Sequence, residues 1–233
     1  MGALFIGLIF MAIGWLVQSR LKSKFHEYSQ VHLTKDLTGG EIARLMLADH
    51  GIRDVQVIST PGELTDHYNP ANRTVNLSEA VYHGRNAAAT AVAAHECGHA
   101  VQHANAYSML QLRSAMVPIQ NVSATVLNWI FMAMMFGSFF ASSILPWKTA
   151  LLIIIVCYAV FALFSLITLP VEFDASRRAL VWVKSRNIVT TGEYDMAQDS
   201  LKWAALTYVV AAVGAITMLI YYVLQYTGMN SDD

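Results

Sequence analysis

The sequence predicts a mainly α, polytopic membrane protein: four transmembrane helices plus a small α+β cytoplasmic domain. Three observations carry this. Of the 233 residues, 55% are hydrophobic and only 13% are charged, against about 25% charged in an average soluble domain. Four apolar stretches divide the chain, and the polar pieces between them hold both helical and strand patterns. The 15 basic and 16 acidic residues leave a net charge of −1. That balance excludes a disordered chain and supplies no basic face for nucleic acid. The only two cysteines, Cys97 and Cys157, argue against a disulfide framework, the second lying in an apolar run.

The first apolar stretch, residues 3–17, would span roughly 23 Å as a helix, short of a bilayer core of about 30 Å. It crosses if Arg20 and Lys22 extend to the headgroups. A secretory signal peptide places its positive charge before the apolar run, whereas Arg20, Lys22 and Lys24 follow it here, so an uncleaved anchor is expected. The second span is expected over 122–146 and the third over 149–169, a hairpin joined by Pro146–Lys148, with Pro146 and Pro170 at helix ends. The fourth is expected over 204–226, where Tyr221, Tyr222 and Tyr226 suit an interfacial belt.

Four crossings put the polar pieces 18–121 and 170–203 on one side. Lysine and arginine number nine in the first, five in the second and one, Lys148, in the hairpin link. This bias makes that side cytoplasmic. Within the first piece, Thr38 and Glu41 form a capping-box pattern ahead of a short amphipathic helix that Gly51 stops. Residues 55–58 and 74–77 read as two strands of a hairpin or edge sheet, separated by the turn-rich PGELTDHYNPANR. From about Arg85 to Asn105 an alanine-rich run reads as one long helix.

That helix contains HECGH. His95 and His99, at i and i+4, lie on one face and can both reach one Zn²⁺. Glu96 can reach the position where water binds and serve as general base. With 8 histidines, chance would give roughly 0.01 such motifs per chain. The flanks are apolar, so these polar groups need partners.

A catalytic zinc takes a third protein ligand and keeps an open position. His103 lies about 12 Å of helix rise beyond His95, too far to share the ion, and reads as a supporting or surface residue. A ligand from elsewhere on the same side is needed. LPVEFDASRRAL supplies Glu172, the first choice, and Asp174, the second choice or else the group that orients a ligand imidazole. An ion pair with Arg177 or Arg178 is the plain alternative for these carboxylates. His67 or Tyr68 could donate to an oxyanion, though Asp66 to Tyr68 also suit an ordinary turn. Cys97 reads as a small packing residue.

HECGHAVQH, preceded by LTDHYNPANRTVNLSEAVY and followed by LPVEFDASRRA, resembles the YugP-type neutral zinc metallopeptidases of bacterial membranes over essentially the whole chain. The resemblance implies a zincin-like domain, with His95, His99 and Glu172 as ligands and Glu96 as base. The related HtpX-type membrane peptidases carry a second motif, E-x-x-x-D. Counted from Glu172, this sequence has Ser176 where that aspartate would stand, and its own aspartate falls earlier, at Asp174.

The expected activity is zinc-dependent hydrolysis of peptide bonds in membrane or membrane-proximal proteins. The expected location is the plasma membrane, multi-pass, with the site on the cytoplasmic face. An extended substrate is expected to pair with the strand around 74–77. A non-proteolytic scaffold or chaperone is the rival; its zinc would be structural and closed by a fourth ligand such as His103 or Asp174. A metal transporter would place ionisable groups inside its spans, and these spans hold essentially none.

Overall fold

The structure is a computed structural model that describes residues 2–136 and 146–231. In chain order the elements are α1 (Gly2–Ser29), α2 (Gly39–Asp49), β1 (Gln56–Thr60), β2 (His67–Asn69) and β3 (Thr74–Ser78). They continue with α3 (Glu79–Tyr82), α4 (Ala87–Ala104), α5 (Ser108–Phe136), α6 (Trp147–Ser185) and α7 (Thr191–Ser231). The chain is mainly helical with one small sheet. It forms two compact units, one from Leu16–Gln111 and Leu169–Thr207, the other from the described parts of Met1–Trp15, Leu112–Thr168 and Tyr208–Asp233.

In the second of these, Leu127 and Ile130 of α5, Leu151, Ile154 and Cys157 of α6 and Tyr222 of α7 pack together. Outside that cluster large apolar side chains stand exposed, among them Phe5, Trp15, Trp129, Val156 and Leu224, as lipid-facing residues do and water-facing ones rarely do. Three described helices, α1, α6 and α7, are long and apolar enough to cross a membrane. The expected second span, 122–146, is described only as the end of α5 and at Pro146, because 137–145 lie outside the described residues. Four spans therefore remain an expectation.

The helices overrun the apolar stretches that announced them. α1 continues twelve residues past Val17, α5 begins at Ser108 and passes through Pro118, and α7 begins at Thr191. Pro170 does not end the third apolar helix, as its position suggested. It lies inside α6, which runs on to Ser185. A proline removes one N–H from the ladder but cannot stop a helix whose following turns are held by packing, and Val171, Ala175, Ala179 and Val183 beyond it are almost wholly buried. The real stop is a Schellman motif: Asn187 takes φ 52°, Ile188 N donates to Val183 O and Asn187 N to Lys184 O, a left-handed cap that asparagine tolerates.

In the other unit the core joins α2 (Ile42, Met46, Leu47), β3 (Val75, Leu77), α4 (Ala93, Cys97, Val101) and the outer ends of α6 and α7 (Trp182, Val183, Leu201). α2 carries the expected capping box between Thr38 and Glu41. The strand pairing differs from the hairpin expected. β1 and β3 run parallel, with Gln56 opposite Thr74, and β2 pairs antiparallel on the far side of β3. β2 comes from inside the turn-rich connection, whose proline and asparagines mask a three-residue strand. The strand at 74–78 is thus central, and cannot receive a substrate along its edge.

Glu193 ties the chain after α1 to the start of α7. Its Oε1 accepts from Thr34 N and Oγ1 at 2.6 and 2.8 Å, and its Oε2 from Thr190 N at 2.6 Å. Burial works against the charged carboxylate, but these bonds hold its pKa below the ordinary 4.5. A depressed folded-state pKa adds stability above the ordinary value and loses it as pH falls through the folded value. Glu193→Ala should therefore lower stability at pH 7 by about 1–3 kcal/mol and flatten its acid dependence, as read from thermal melts in detergent at neutral and acidic pH.

Candidate metal centre

α4 is set in place by Asn86, whose side chain caps Ala89 N at 2.8 Å. From there the alanine-rich sequence packs so tightly that nearly every position from Ala87 to Gln102 is buried. Small side chains let α6 approach closely, as it does at Gly98. A Cβ there would stand 2.5 Å from the Ala175 carbonyl oxygen and 3.0 Å from its Cα. This contact fixes which residues of α6 face the histidines.

His95 and His99 lie edge to face, ring centroids 4.8 Å apart. Glu172, only 2% exposed, brings Oε2 to 3.3 Å from His95 Nε2 and 3.5 Å from His99 Nε2. The donor atoms of these three residues all fall within 4.8 Å of one another. A tetrahedral ion with bonds of about 2.0–2.1 Å separates its ligand atoms by about 3.3 Å, so the observed spacings fit zinc. Burial alone would raise the Glu172 carboxyl, yet the two imidazoles hold it well below the usual carboxylate range. Burial would likewise lower His99, but the Glu172 carboxylate lifts it above its ordinary value. Both shifts have one cause, the attraction between the carboxylate and the two imidazoles across these short distances.

Glu96, next to His95 in α4, is 8% exposed. Asp66 lies within its electrostatic reach: burial and then the Glu96 charge push the Asp66 carboxyl up, against the bonds it accepts from Ser78 N at 2.7 Å and Ser78 Oγ at 3.1 Å. The other sequence candidates take separate places. Asp174 does not touch an imidazole directly. It accepts from Arg177, Arg178 and, at 2.9 Å, Gln102 Nε2. Gln102 Oε1 in turn lies 3.0 Å from His99 Nδ1. His103 Nδ1 meets the Tyr68 hydroxyl at 2.7 Å, and His67 Nδ1 meets the Thr65 carbonyl at 2.7 Å. Cys97 is fully buried against Ala43 O, and burial pushes its thiol far up, which removes it as a nucleophile.

Two residues went unnoticed as imidazole partners. Ser176 Oγ lies 3.1 Å from His95 Nδ1, so the residue at the place of the expected aspartate does contact a histidine of the cluster. Gln102 is the other. Both could have been found by helical spacing, Ser176 at i+4 from Glu172 and Gln102 at i+3 from His99.

A family described as "Putative neutral zinc metallopeptidase" matches residues 3–227. The chain belongs to that family. It is also 41% identical over 226 residues to a Bacillus subtilis (strain 168) protein named "Putative membrane protease YugP", covering 96% of each chain. No solved structure matches. Membership of a zinc hydrolase family, a membrane-named relative and three membrane-length helices together describe a membrane protein of the zinc peptidase class.

Gly98 offers a test of the helix contact. Glycine to alanine in an open helix stabilises by about 0.5–1 kcal/mol. Here the added methyl must displace the α6 backbone, so Gly98→Ala should instead destabilise by about 1–3 kcal/mol, measured as a lowered melting temperature beside wild type.

Proposed function

We propose that the protein is a zinc-dependent membrane peptidase that cleaves peptide bonds in membrane or membrane-proximal proteins. The observation that carries this is the three-donor cluster His95, His99 and Glu172, spaced as zinc ligands are, with Glu96 beside it. When bound there, zinc supplies Lewis acidity, polarising a scissile carbonyl and bringing the pKa of water toward about 7. Glu96 takes the proton of the attacking water and delivers it to the leaving amine. The buried walls of α4 and α6 keep bulk water from these groups and so strengthen their electrostatics.

The rival reading, a structural zinc in a scaffold or chaperone, needs a fourth protein ligand. The two residues suited to that role are engaged elsewhere, His103 with Tyr68 and Asp174 with Gln102 and two arginines. This favours an open coordination position and hence catalysis.

An extended substrate would pair with a sheet edge. With β3 central, the edges are β1 and β2. β2 packs on α4, Tyr68 reaching His103, and Asp66, whose carboxyl feels the Glu96 charge, directly precedes it. We therefore assign the substrate to the β2 edge. Glu172 follows the apolar run 149–169 by three residues in the same helix, which suits membrane-proximal substrates. The four apolar stretches suit four spans in the plasma membrane, and the lysine and arginine bias favours this site on the cytoplasmic face.

Purified protein should bind zinc and cleave a denatured protein substrate, and a chelator should abolish cleavage. Glu96→Gln should retain zinc while losing on the order of 10²–10⁴-fold in rate; His95→Ala and Glu172→Ala should lose the metal. Zinc-loaded wild type indistinguishable from Glu96→Gln would exclude peptidase chemistry at this site. For topology, a cysteine at Lys148 should react with an impermeant maleimide from outside intact cells, and one at Gln30 only after permeabilisation.

A further inference from the structure

Gln102 joins the two ligand-bearing helices and is wholly buried. Its Nε2 donates to the Val171 carbonyl at 2.8 Å and to Asp174 Oδ2 at 2.9 Å, while its Oε1 faces His99 Nδ1 at 3.0 Å. An amide offers two N–H donors on one side and only lone pairs on the other. Turned over, Gln102 would aim its oxygen at a carbonyl and a carboxylate, neither able to donate, and leave buried acceptors facing one another. The amide therefore has one orientation. With its oxygen toward His99, that ring must carry hydrogen on Nδ1, which leaves the lone pair of the neutral imidazole on Nε2, the nitrogen beside Glu172 Oε2.

We propose that Gln102 is a positioning residue that locks His99 in its Nδ1–H tautomer, presenting Nε2 to the metal; this rests on the zinc reading above. The lock is anchored in layers. Arg177 and Arg178 hold Asp174, Asp174 and the Val171 carbonyl hold the amide nitrogen, and the amide oxygen holds the ring. Val171 is the residue before Glu172, so the same amide also registers the third ligand against α4. His95 is held differently: the Ser176 hydroxyl 3.1 Å from its Nδ1 can donate or accept by rotating, and imposes no tautomer.

The test compares zinc affinity, by chelator competition on the full chain in detergent, among wild type, Gln102→Met and Gln102→Glu, beside the melting temperatures of the zinc-free forms. Glutamate keeps an acceptor toward His99 but loses both N–H donors; methionine loses both functions. The lock predicts that Gln102→Met weakens zinc on the order of 10–100-fold while Gln102→Glu stays within about threefold of wild type. If Gln102 merely ties α4 to α6 through its N–H groups, glutamate will be as weak as methionine, and that result overturns the proposal, as does an unchanged affinity in both. Where either variant fails to fold, the ring ¹⁵N resonances of His99 in zinc-free wild type, assigned by their loss in His99→Asn, decide: hydrogen on Nδ1 supports the lock whether or not the Glu172 carboxylate also keeps one on Nε2, and a bare Nδ1 sinks it. A wild type that binds no zinc removes the zinc reading but leaves this tautomer measurement standing, so the two failures are distinct.

Discussion

The close approach of α4 and α6 at Gly98 is the constraint on which the rest of the site depends. Packed helices ordinarily keep their axes about 8–10 Å apart, set by the side chains between them. Here the contact residue has no side chain, and Ala175 presents its backbone to it. On the same faces of these two helices, the Glu172 carboxylate comes to 3.3–3.5 Å from both imidazoles. The alanines of α4 that look like mere helix formers are also buried packing residues of small volume.

The same approach buries charge. Glu172 and Glu96 are nearly inaccessible, and Asp66 stands near enough for its proton affinity to register the Glu96 charge. Carboxylates in such surroundings are held charged only by an opposing positive charge or by hydrogen bonds to them. The imidazoles meet part of this need for Glu172, and a divalent cation among the three donors would meet it more fully. Asp174, by contrast, is neutralised by its own arginines, which frees it to act as an anchor and not as a ligand.

Much of this was legible in the chain, and what was not has physical reasons. The HECGH spacing, the capping box at Thr38 and Glu41 and the left-handed stop at Gly51 are local patterns, and local patterns survive into the fold. Glu172 was reachable because the expectation of four spans, with both polar pieces on one side, narrowed the choice of carboxylates. Strand pairing is non-local, so the parallel match of Gln56 with Thr74 left no mark, and β2 hid among residues that ordinarily make turns. Pro170 misled because a proline's cost to a helix can be overridden by burial of the turns beyond it. Gln102 gave no signal because a neutral amide has no ligand pattern; its meaning comes entirely from the acceptors that surround it.

The substitution of serine for an expected aspartate at 176 follows from this charge distribution. Residues 172 and 176 share one face of α6, so Ser176 falls beside His95 as Glu172 falls between both rings. A carboxylate at 176 would have added a further negative charge close to Glu172 and Glu96, with Arg177 and Arg178 already drawn to Asp174. A hydroxyl makes the same contact without that charge. Asp174, two residues from Glu172, turns off the ligand face and works instead through Gln102 on His99. The two imidazoles are thus supported by unlike devices, one neutral and rotatable, the other charged at its root and fixed in direction, and the carboxylate that the pattern seemed to lack is present one connection further out.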